Sequence, residues 1–249
     1  MNVQQYMRYL SKRFLKPFTE NYVPEWSCPH CQMGYLQLMK DKLHYSEVPK
    51  SIARRKEIDW EPEWADYRFS AQFRCSRCDA ITYACGAGKL NYYPKDEVND
   101  EDWEEIEFFP KYFEPSVSMF VLPRECPDFI RQVVESAFSV ARADVPAAGN
   151  RLRVAVEKLV FDLEPKLTGQ LDNKIKKLQL THPEPAKLLM AVKWLGNEAS
   201  HDDSLRECDL AFAFDVMKAV LEEIYSNERK ELDELVDLIN SKKGPPDST

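Results

Sequence analysis

Two pairs of cysteines have the spacing of metal ligands. Cys28 and Cys31 form one Cys-x-x-Cys pair, and Cys75 and Cys78 form the second, after a gap of 43 residues. Zinc binds four thiolates in a tetrahedron, and a pair two residues apart spans one edge of it without backbone strain. Because four thiolates leave no coordination position open, the spacing predicts a structural Zn²⁺ with Cys28, Cys31, Cys75 and Cys78 as ligands. The alternatives are four unrelated thiols or a redox pair, which usually occurs singly at a helix start.

A second group of polar residues in the C-terminal half has the types needed for acid–base chemistry. Arg153 and Glu157 are four residues apart, so they share one face of a helix. Asn197 and His201 are also four apart, on either side of a helix end that Gly196 predicts. An imidazole titrates near neutral pH and can act as general acid or base in RNA cleavage. The alternative is structural, with Asn197 and His201 capping the helix end.

Short strands are the elements that must position the cysteines. Residues 34–38 and 79–84 read as strands that follow the two pairs, and residues 67–74 alternate into the second pair. We therefore predict a small zinc-ribbon-like domain over residues 21–95. Its insertion carries basic residues 54–56 beside two tryptophans. These could stack on single-stranded nucleic acid, although packing of the tryptophans on the protein itself is favoured.

Helices are the elements that must position the second group. After Pro127, apolar residues recur at three- and four-residue steps, which predicts helices. The third begins with Thr168 as its cap, and the fifth opens with a Ser204-x-x-Glu207 capping box. Short connections predict an antiparallel bundle over residues 127–241. The predicted apolar helices cover residues 130–141, 148–163, 171–178, 188–195 and 204–239.

The remaining segments are predicted to connect or flank these two domains. Residues 1–20 have the pattern of a basic amphipathic helix, which docks on its own protein or, alternatively, lies on a membrane. Residues 96–126 are proline-punctuated and acidic, and we predict a connector there. Residues 242–249 have the composition of a disordered tail.

Composition limits the class of protein. The 249 residues are 44% hydrophobic and 31% charged, which suits one large or two small domains. The net charge of −8 comes mostly from residues 95–114, which hold nine acids and two bases, so the acidic balance does not exclude nucleic acid. No apolar run approaches the roughly 20 residues of a membrane span, and the N-terminus lacks a secretory signal. The expected location is cytoplasmic, without a membrane partner. The predicted fold class is α+β, mainly α.

Three segments of the C-terminal half carry a family resemblance. They are AAGNRLRVAVEKL (147–159), KWLGNEASHDD (193–203) and DLAFAFDVMKAVLEEIY (209–225). Together they resemble the helical family catalogued as domain of unknown function 4145, over about residues 127–226. That family is similar to the HEPN superfamily, helical proteins common among prokaryotic toxins and anti-phage systems. The resemblance implies an antiparallel HEPN-like bundle that pairs with a second copy.

The resemblance also implies a site. Active HEPN members hold a metal-independent ribonuclease site at the dimer cleft, where an arginine and a polar residue precede a histidine. Here His201 matches the histidine and Asn197 the polar residue, while Gly196 occupies the arginine position. The other groups expected at the site are Arg153 or Lys193 as the phosphate clamp, and Glu157 and Asp202 as positioning groups.

Two functions follow as expectations. The first is an HEPN-like anti-phage defence or toxin-type protein that acts on RNA as a ribonuclease, with the zinc ribbon supplying recognition. The alternative is a non-catalytic adaptor that binds nucleic acid or a protein partner in a defence or restriction system. The glycine at the arginine position favours the adaptor. The expected partners are RNA, a second copy through the bundle, and a protein through the zinc ribbon.

Overall fold

The computed structural model describes residues 16–93, 103–201, 205–226 and 228–245. Most of the helix predicted over residues 1–20 lies outside these ranges, but residues 16–20 are described and are not helical. Phe18 instead pairs with Phe108 as an isolated β-bridge, with N–O distances of 3.0 and 2.8 Å. Its side chain is fully buried, because the chain crosses the sheet core at this point.

A five-stranded antiparallel sheet forms the N-terminal half. The central strand β3 pairs with β1 and β2 along one edge and with β4 along the other, and β5 pairs with β4. The insertion between β2 and β3 contains a short helix, α1 (Pro49–Arg54). The strands predicted around the cysteine pairs are confirmed. The strands are β1 (Leu36–Leu38), β2 (His44–Glu47), β3 (Asp66–Cys75), β4 (Ile81–Tyr93) and β5 (Trp103–Glu114).

Strand β5 corrects the predicted connector at residues 96–126. Pro110 would break a regular ladder because it has no N–H, but it lies opposite Gly86 where the register shifts by a β-bulge. A Cβ at Gly86 would collide with the carbonyl oxygen of Phe109, so only glycine fits there. The alternation that buries Phe108 and half-buries Ile106 was hidden in the sequence by the surrounding acids.

Six helices follow in the described residues of the C-terminal half. Helix α3 lies at the centre and contacts α2, α4, α5 and α6. Asp144 caps α3 by accepting a hydrogen bond from the Ala147 N–H at 2.8 Å. The fold is therefore mixed α and β and mainly helical, as predicted. The helices are α2 (Asp128–Val140), α3 (Val145–Leu163), α4 (Leu171–Leu178), α5 (Pro183–His201), α6 (Glu207–Tyr225) and α7 (Glu228–Lys242).

Three helix ends differ from the predictions. Helix α5 does not stop at Gly196 but continues to His201. Helix α4 is capped by Gln170 rather than Thr168. The predicted last helix is two helices, since α6 ends before Ser226 and α7 follows.

The start of α6 also differs from the predicted capping box. Its cap is Arg206, whose N–H donates to the Asp209 carboxylate at 3.2 Å, and Ser204 lies outside the described residues. No described helix combines the length and apolarity that crossing a membrane requires.

Arg142 joins the helical half to the sheet. Its guanidinium lies over the rings of Trp26 and Phe113, 5.2 and 5.4 Å from their centroids. Burial lowers the pKa of Arg142 to about 10, so the side chain stays charged at neutral pH. A largely desolvated cation lying over two aromatic rings is a specific contact between the halves.

Candidate functional site

The four predicted metal ligands converge at one end of the sheet. The sulfur atoms of the four cysteines all lie within 4.8 Å of one another. The Cys28 and Cys78 sulfurs are 3.8 Å apart, and those of Cys31 and Cys75 are 3.7 Å apart. A tetrahedral zinc ion with Zn–S bonds of about 2.3 Å requires sulfurs about 3.8 Å apart. The cluster can therefore hold a metal ion, and its geometry is consistent with zinc.

The two cysteine turns share one backbone geometry. The residue after each pair adopts a left-handed conformation, with φ of 56° at Gln32 and 58° at Asp79. Backbone N–H groups within each turn point at a sulfur, as in Arg77 N to Cys75 Sγ at 3.3 Å and His30 N to Cys28 Sγ at 3.4 Å. Such donors stabilise thiolates, which are the form that binds metal.

Gly34 and Cys31 show how closely the chain wraps the cluster. A Cβ at Gly34 would collide with the Cys75 sulfur and lie 2.9 Å from the Arg77 Cβ. The sequence alone indicated Gly34 only as the start of a strand.

The backbone N–H groups of Met33 and Gly34 lower the pKa of the Cys31 thiol to about 6, which favours the thiolate at neutral pH.

A polar pocket between α3, α4 and α5 collects most of the second predicted group. Its volume is about 490 Å³. Arg153 and Glu157 enter it from α3, and Lys193 and Asn197 from α5. Four predicted site residues from two separate helices therefore share one cavity. The rest of the lining comes from Gly169 and Gln170, which precede α4, and from Leu171, Asp172 and Lys174 in its first turn.

Asp172 forms ion pairs with two lysines, one of which lines the pocket. The Lys193 ammonium is 3.1 Å from one Asp172 oxygen, and the Lys176 ammonium is 2.6 Å from the other. Lys176 and Lys193 lower the pKa of the Asp172 carboxyl, so it is ionised at neutral pH. Lys193 is nearly buried, and its ammonium lies 3.6 Å from the ring centroid of Trp194. The sequence offered only the Asp172–Lys176 spacing of four as a signal.

Arg153 is partly exposed and only loosely paired. Its guanidinium is 3.5 Å from the Glu157 carboxylate, a long contact. Its Nε atom is buried and has no hydrogen-bond partner among the described residues. Lys174 lines the same pocket and makes no ion pair within the described part of the chain. Three cations therefore face two carboxylates, Glu157 and Asp172, and the excess is positive.

His201 and Asp202 are the two predicted residues whose side chains the structure does not place. His201 is the last residue of α5, and its backbone follows Asn197 by one helical turn. Its side chain and the whole of Asp202 lie outside the described residues. Their roles stay predictions.

Gly196 lies where α3 and α5 pack closely together. A Cβ at this position would lie 2.9 Å from the Arg153 Cβ and 3.0 Å from the Gly149 carbonyl oxygen. Neither atom is the end of a flexible side chain. The glycine is therefore a packing residue inside a helix, which explains why it does not end the helix and why a larger residue does not fit.

We expect Gly196→Ala to destabilise the protein. Alanine gains about 1 kcal/mol of helix propensity over glycine. Forcing a methyl group between two packed helices typically costs about 1–3 kcal/mol. The net change in the free energy of unfolding is therefore a loss of roughly 1 kcal/mol, measurable by urea denaturation. Lys187→Ala, at an exposed position of the same helix, is the control and should change little. Equal urea midpoints for Gly196→Ala and Lys187→Ala would contradict the packing role of Gly196.

These observations define a class of protein in which a sheet with a four-cysteine cluster is joined to a helical bundle with a polar pocket. Residues 135–242 match the family described as Domain of unknown function (DUF4145), which confirms the predicted resemblance to that family. Residues 16–113 match Domain of unknown function (DUF8608). No curated protein and no solved structure matches the chain.

Proposed function

We propose that this chain is an HEPN-like defence or toxin-type protein that cleaves RNA at the pocket between α3, α4 and α5. The observation that carries the proposal is the convergence of Arg153, Lys193 and Asn197 on one pocket with a positive excess. His201 follows Asn197 by one turn of the same helix. A phosphodiester is an anion whose oxygens match a guanidinium.

The proposed reaction uses the RNA itself as nucleophile. The His201 imidazole removes the proton of a ribose 2′-hydroxyl, and the resulting oxygen forms a bond to the adjacent phosphorus. The bond from phosphorus to the 5′-oxygen breaks, and that oxygen takes a proton from the imidazolium of a second copy at a dimer cleft. Arg153 neutralises charge on the phosphate oxygens, with Lys193 behind it. Asn197, Glu157 and Asp202 position these groups.

In this proposal the four cysteines hold one structural Zn²⁺. Support comes from the sulfur separations of 3.7 and 3.8 Å and from the N–H groups directed at the sulfurs. The filled shell leaves the ion no open position for chemistry, so its part is to hold the sheet together as a zinc-ribbon-like unit for recognition. A cytoplasmic location suits free thiols.

Incubation of the purified protein with single-stranded RNA in EDTA tests the function. EDTA removes Mg²⁺ but competes slowly with a four-thiolate site, so cleavage in its presence supports the proposed chemistry. The products should end in a 2′,3′-cyclic phosphate. A stable complex without cleavage would contradict the ribonuclease proposal and leave the adaptor.

The adaptor is the second candidate, and one observation favours it. Gly196 stands where active HEPN members have arginine, and the α3–α5 contact excludes any larger side chain there. The guanidinium of Arg153, which lines the same pocket, already contacts Glu157. An adaptor would use the same pocket to hold a phosphate without cleaving it.

We also propose that two copies pair through α7. Its apolar stripe is exposed in the described residues, at Leu232, Leu235, Val236 and Ile239. Residues 228–234 carry four acids and two bases, and residues 236–243 carry one acid and two bases, so antiparallel copies place halves of opposite net charge side by side.

Leu235→Glu should convert the dimer to a monomer. A charge buried in the centre of the paired stripes carries a desolvation cost of several kcal/mol. Light scattering after gel filtration measures the mass. Asn240→Glu, on the same helix but outside the stripe, is the control and should stay dimeric. A wild-type monomer at micromolar concentration would contradict the pairing.

A further inference from the structure

The sheet has an outer face whose side chains point away from its aromatic core. The register puts Ser70, Cys85 and Tyr112 in one row across β3, β4 and β5. Tyr83 lies in the row on one side of it, and Phe109 in the row on the other. The alternate residues of the same strands, such as Phe69, Phe73 and Phe108, form the core.

Three aromatic side chains are exposed on this outer face. Tyr83 is 53% exposed, Tyr112 56% and Phe109 37%. A single exposed aromatic residue needs no explanation, but three on successive rows of two adjacent strands form a patch. Successive rows are about 7 Å apart, so the rings can each meet a different base of an extended strand.

Cations surround the three rings. Arg68 and Arg74 lie on the outer face of β3, and Lys111 is the extra residue of the bulge in β5. All three are exposed, and none makes an ion pair within the ranges that the structure describes. Glu114 lies beside Tyr83, and Glu107 lies in the row that follows Phe109. The charge around the rings is therefore positive, although the whole chain carries −8.

A cleft of about 580 Å³ lies between this face and the end of α2. Tyr83 and Tyr112 line it together with the polar groups of Gln72, Ser70 and Ser139. That volume is in the range of small-ligand pockets and accommodates one nucleoside. Aromatic walls with amide and hydroxyl groups suit a base that stacks and hydrogen-bonds.

The tryptophans of the insertion are less suited to such stacking. The Arg55 guanidinium lies 5.0 Å from the ring of Trp60, and that of Arg54 lies 4.5 Å from the ring of Trp64. One face of each ring is therefore already covered by the chain itself. On the outer face of the sheet the rings are open.

We infer that the outer face of the sheet binds single-stranded RNA, with bases stacked on Tyr83, Tyr112 and Phe109 and phosphates at Arg68, Arg74 and Lys111. Stacking on aromatic rings beside cations is how proteins hold single strands with little sequence preference. The inference rests on the proposed function for the choice of RNA. It assigns recognition to the sheet and leaves cleavage to the helical pocket.

Fluorescence anisotropy with a labelled oligouridine tests this surface. Tyr83→Ala and Tyr112→Ala should each weaken binding about tenfold, because each removes one stacking partner. Arg74→Gln should lower the slope of log affinity against log salt by about 0.7. Tyr92→Ala, on the same strand but the opposite face, is the matched control and should bind as the wild type does.

The outcomes separate this inference from the proposed function. Weaker binding by the two tyrosine variants supports the inference even if no RNA is cleaved. Wild-type affinity in both variants, with circular dichroism confirming that they are folded, overturns the inference even if the wild type cleaves RNA. Binding of duplex RNA as tightly as the single strand also overturns it, because paired bases cannot stack on the rings.

Discussion

Loss of zinc from the four-cysteine site is expected to unfold the sheet while the helices stay folded. Cys28 and Cys75 are buried and belong to the same apolar cluster as Trp26, Leu36 and Phe73. Structural zinc sites contribute roughly 10–16 kcal/mol in apparent binding free energy. Whole domains have net stabilities of about 5–15 kcal/mol. The sheet therefore cannot compensate for the loss of the ion.

Cys75→Ser is the variant that makes this test sharp. In the wild type, the Cys75 sulfur accepts hydrogen bonds from the backbone N–H groups of Arg77 and Cys78. It lies 3.7 Å from the Cys31 sulfur. A hydroxyl at this position is a poor zinc ligand, because it stays protonated at neutral pH. Emission spectroscopy detects the result, since Trp26 lies in the sheet core and four of the five tryptophans lie in the N-terminal half. Helical circular dichroism should persist.

Cys208→Ser in α6 is the matched control, because it removes a thiol far from the cluster. The control should keep about one zinc per chain by elemental analysis, and its emission should match the wild type. A purified wild type without zinc, or a Cys75→Ser variant with an unchanged unfolding midpoint, would show that the cluster is not a metal site.

The parts predicted correctly from the sequence depend on local spacing. Two cysteines separated by two residues determine a turn, and the turn directs both sulfurs to one side whatever the rest of the chain does. Apolar steps of three and four residues likewise determine which face of a helix is buried. The convergence of the four cysteines and the cores of α2 to α6 were therefore accessible from the sequence.

The parts missed depend on contacts between distant segments. Gly196 reads as a helix end in isolation, whereas its packing against Gly149 and Arg153 keeps it inside α5. Asp172 joins Lys193 only because α4 packs on α5. Pro110 by itself predicts the end of a strand. Strand β5 accommodates it because it lies at a β-bulge opposite Gly86 in the neighbouring strand. Tyr83 and Tyr112 share a face because of the pairing between β4 and β5, and the bulge that shifts this register involves both strands together.

His201→Ala is expected to lower the rate of RNA cleavage by about 100- to 10,000-fold, the usual cost of losing a general acid–base group. RNA affinity should stay within about twofold, because the proposed binding contacts are made by the sheet and by Arg153. The fold should persist, since the residue is the last of α5. The rate is measured by single-turnover cleavage of labelled RNA.

His182→Ala is the matched control, because His182 directly precedes the other end of the same helix, about 28 Å away by helical rise. It should cleave at the wild-type rate. Added imidazole should partly restore cleavage to His201→Ala, because a free base can enter the space left by the side chain, and a merely structural role would not respond in this way. Full activity in the variant would remove His201 from the reaction. A pocket that then still bound phosphate through Arg153 and Lys193 would have the properties of an adaptor.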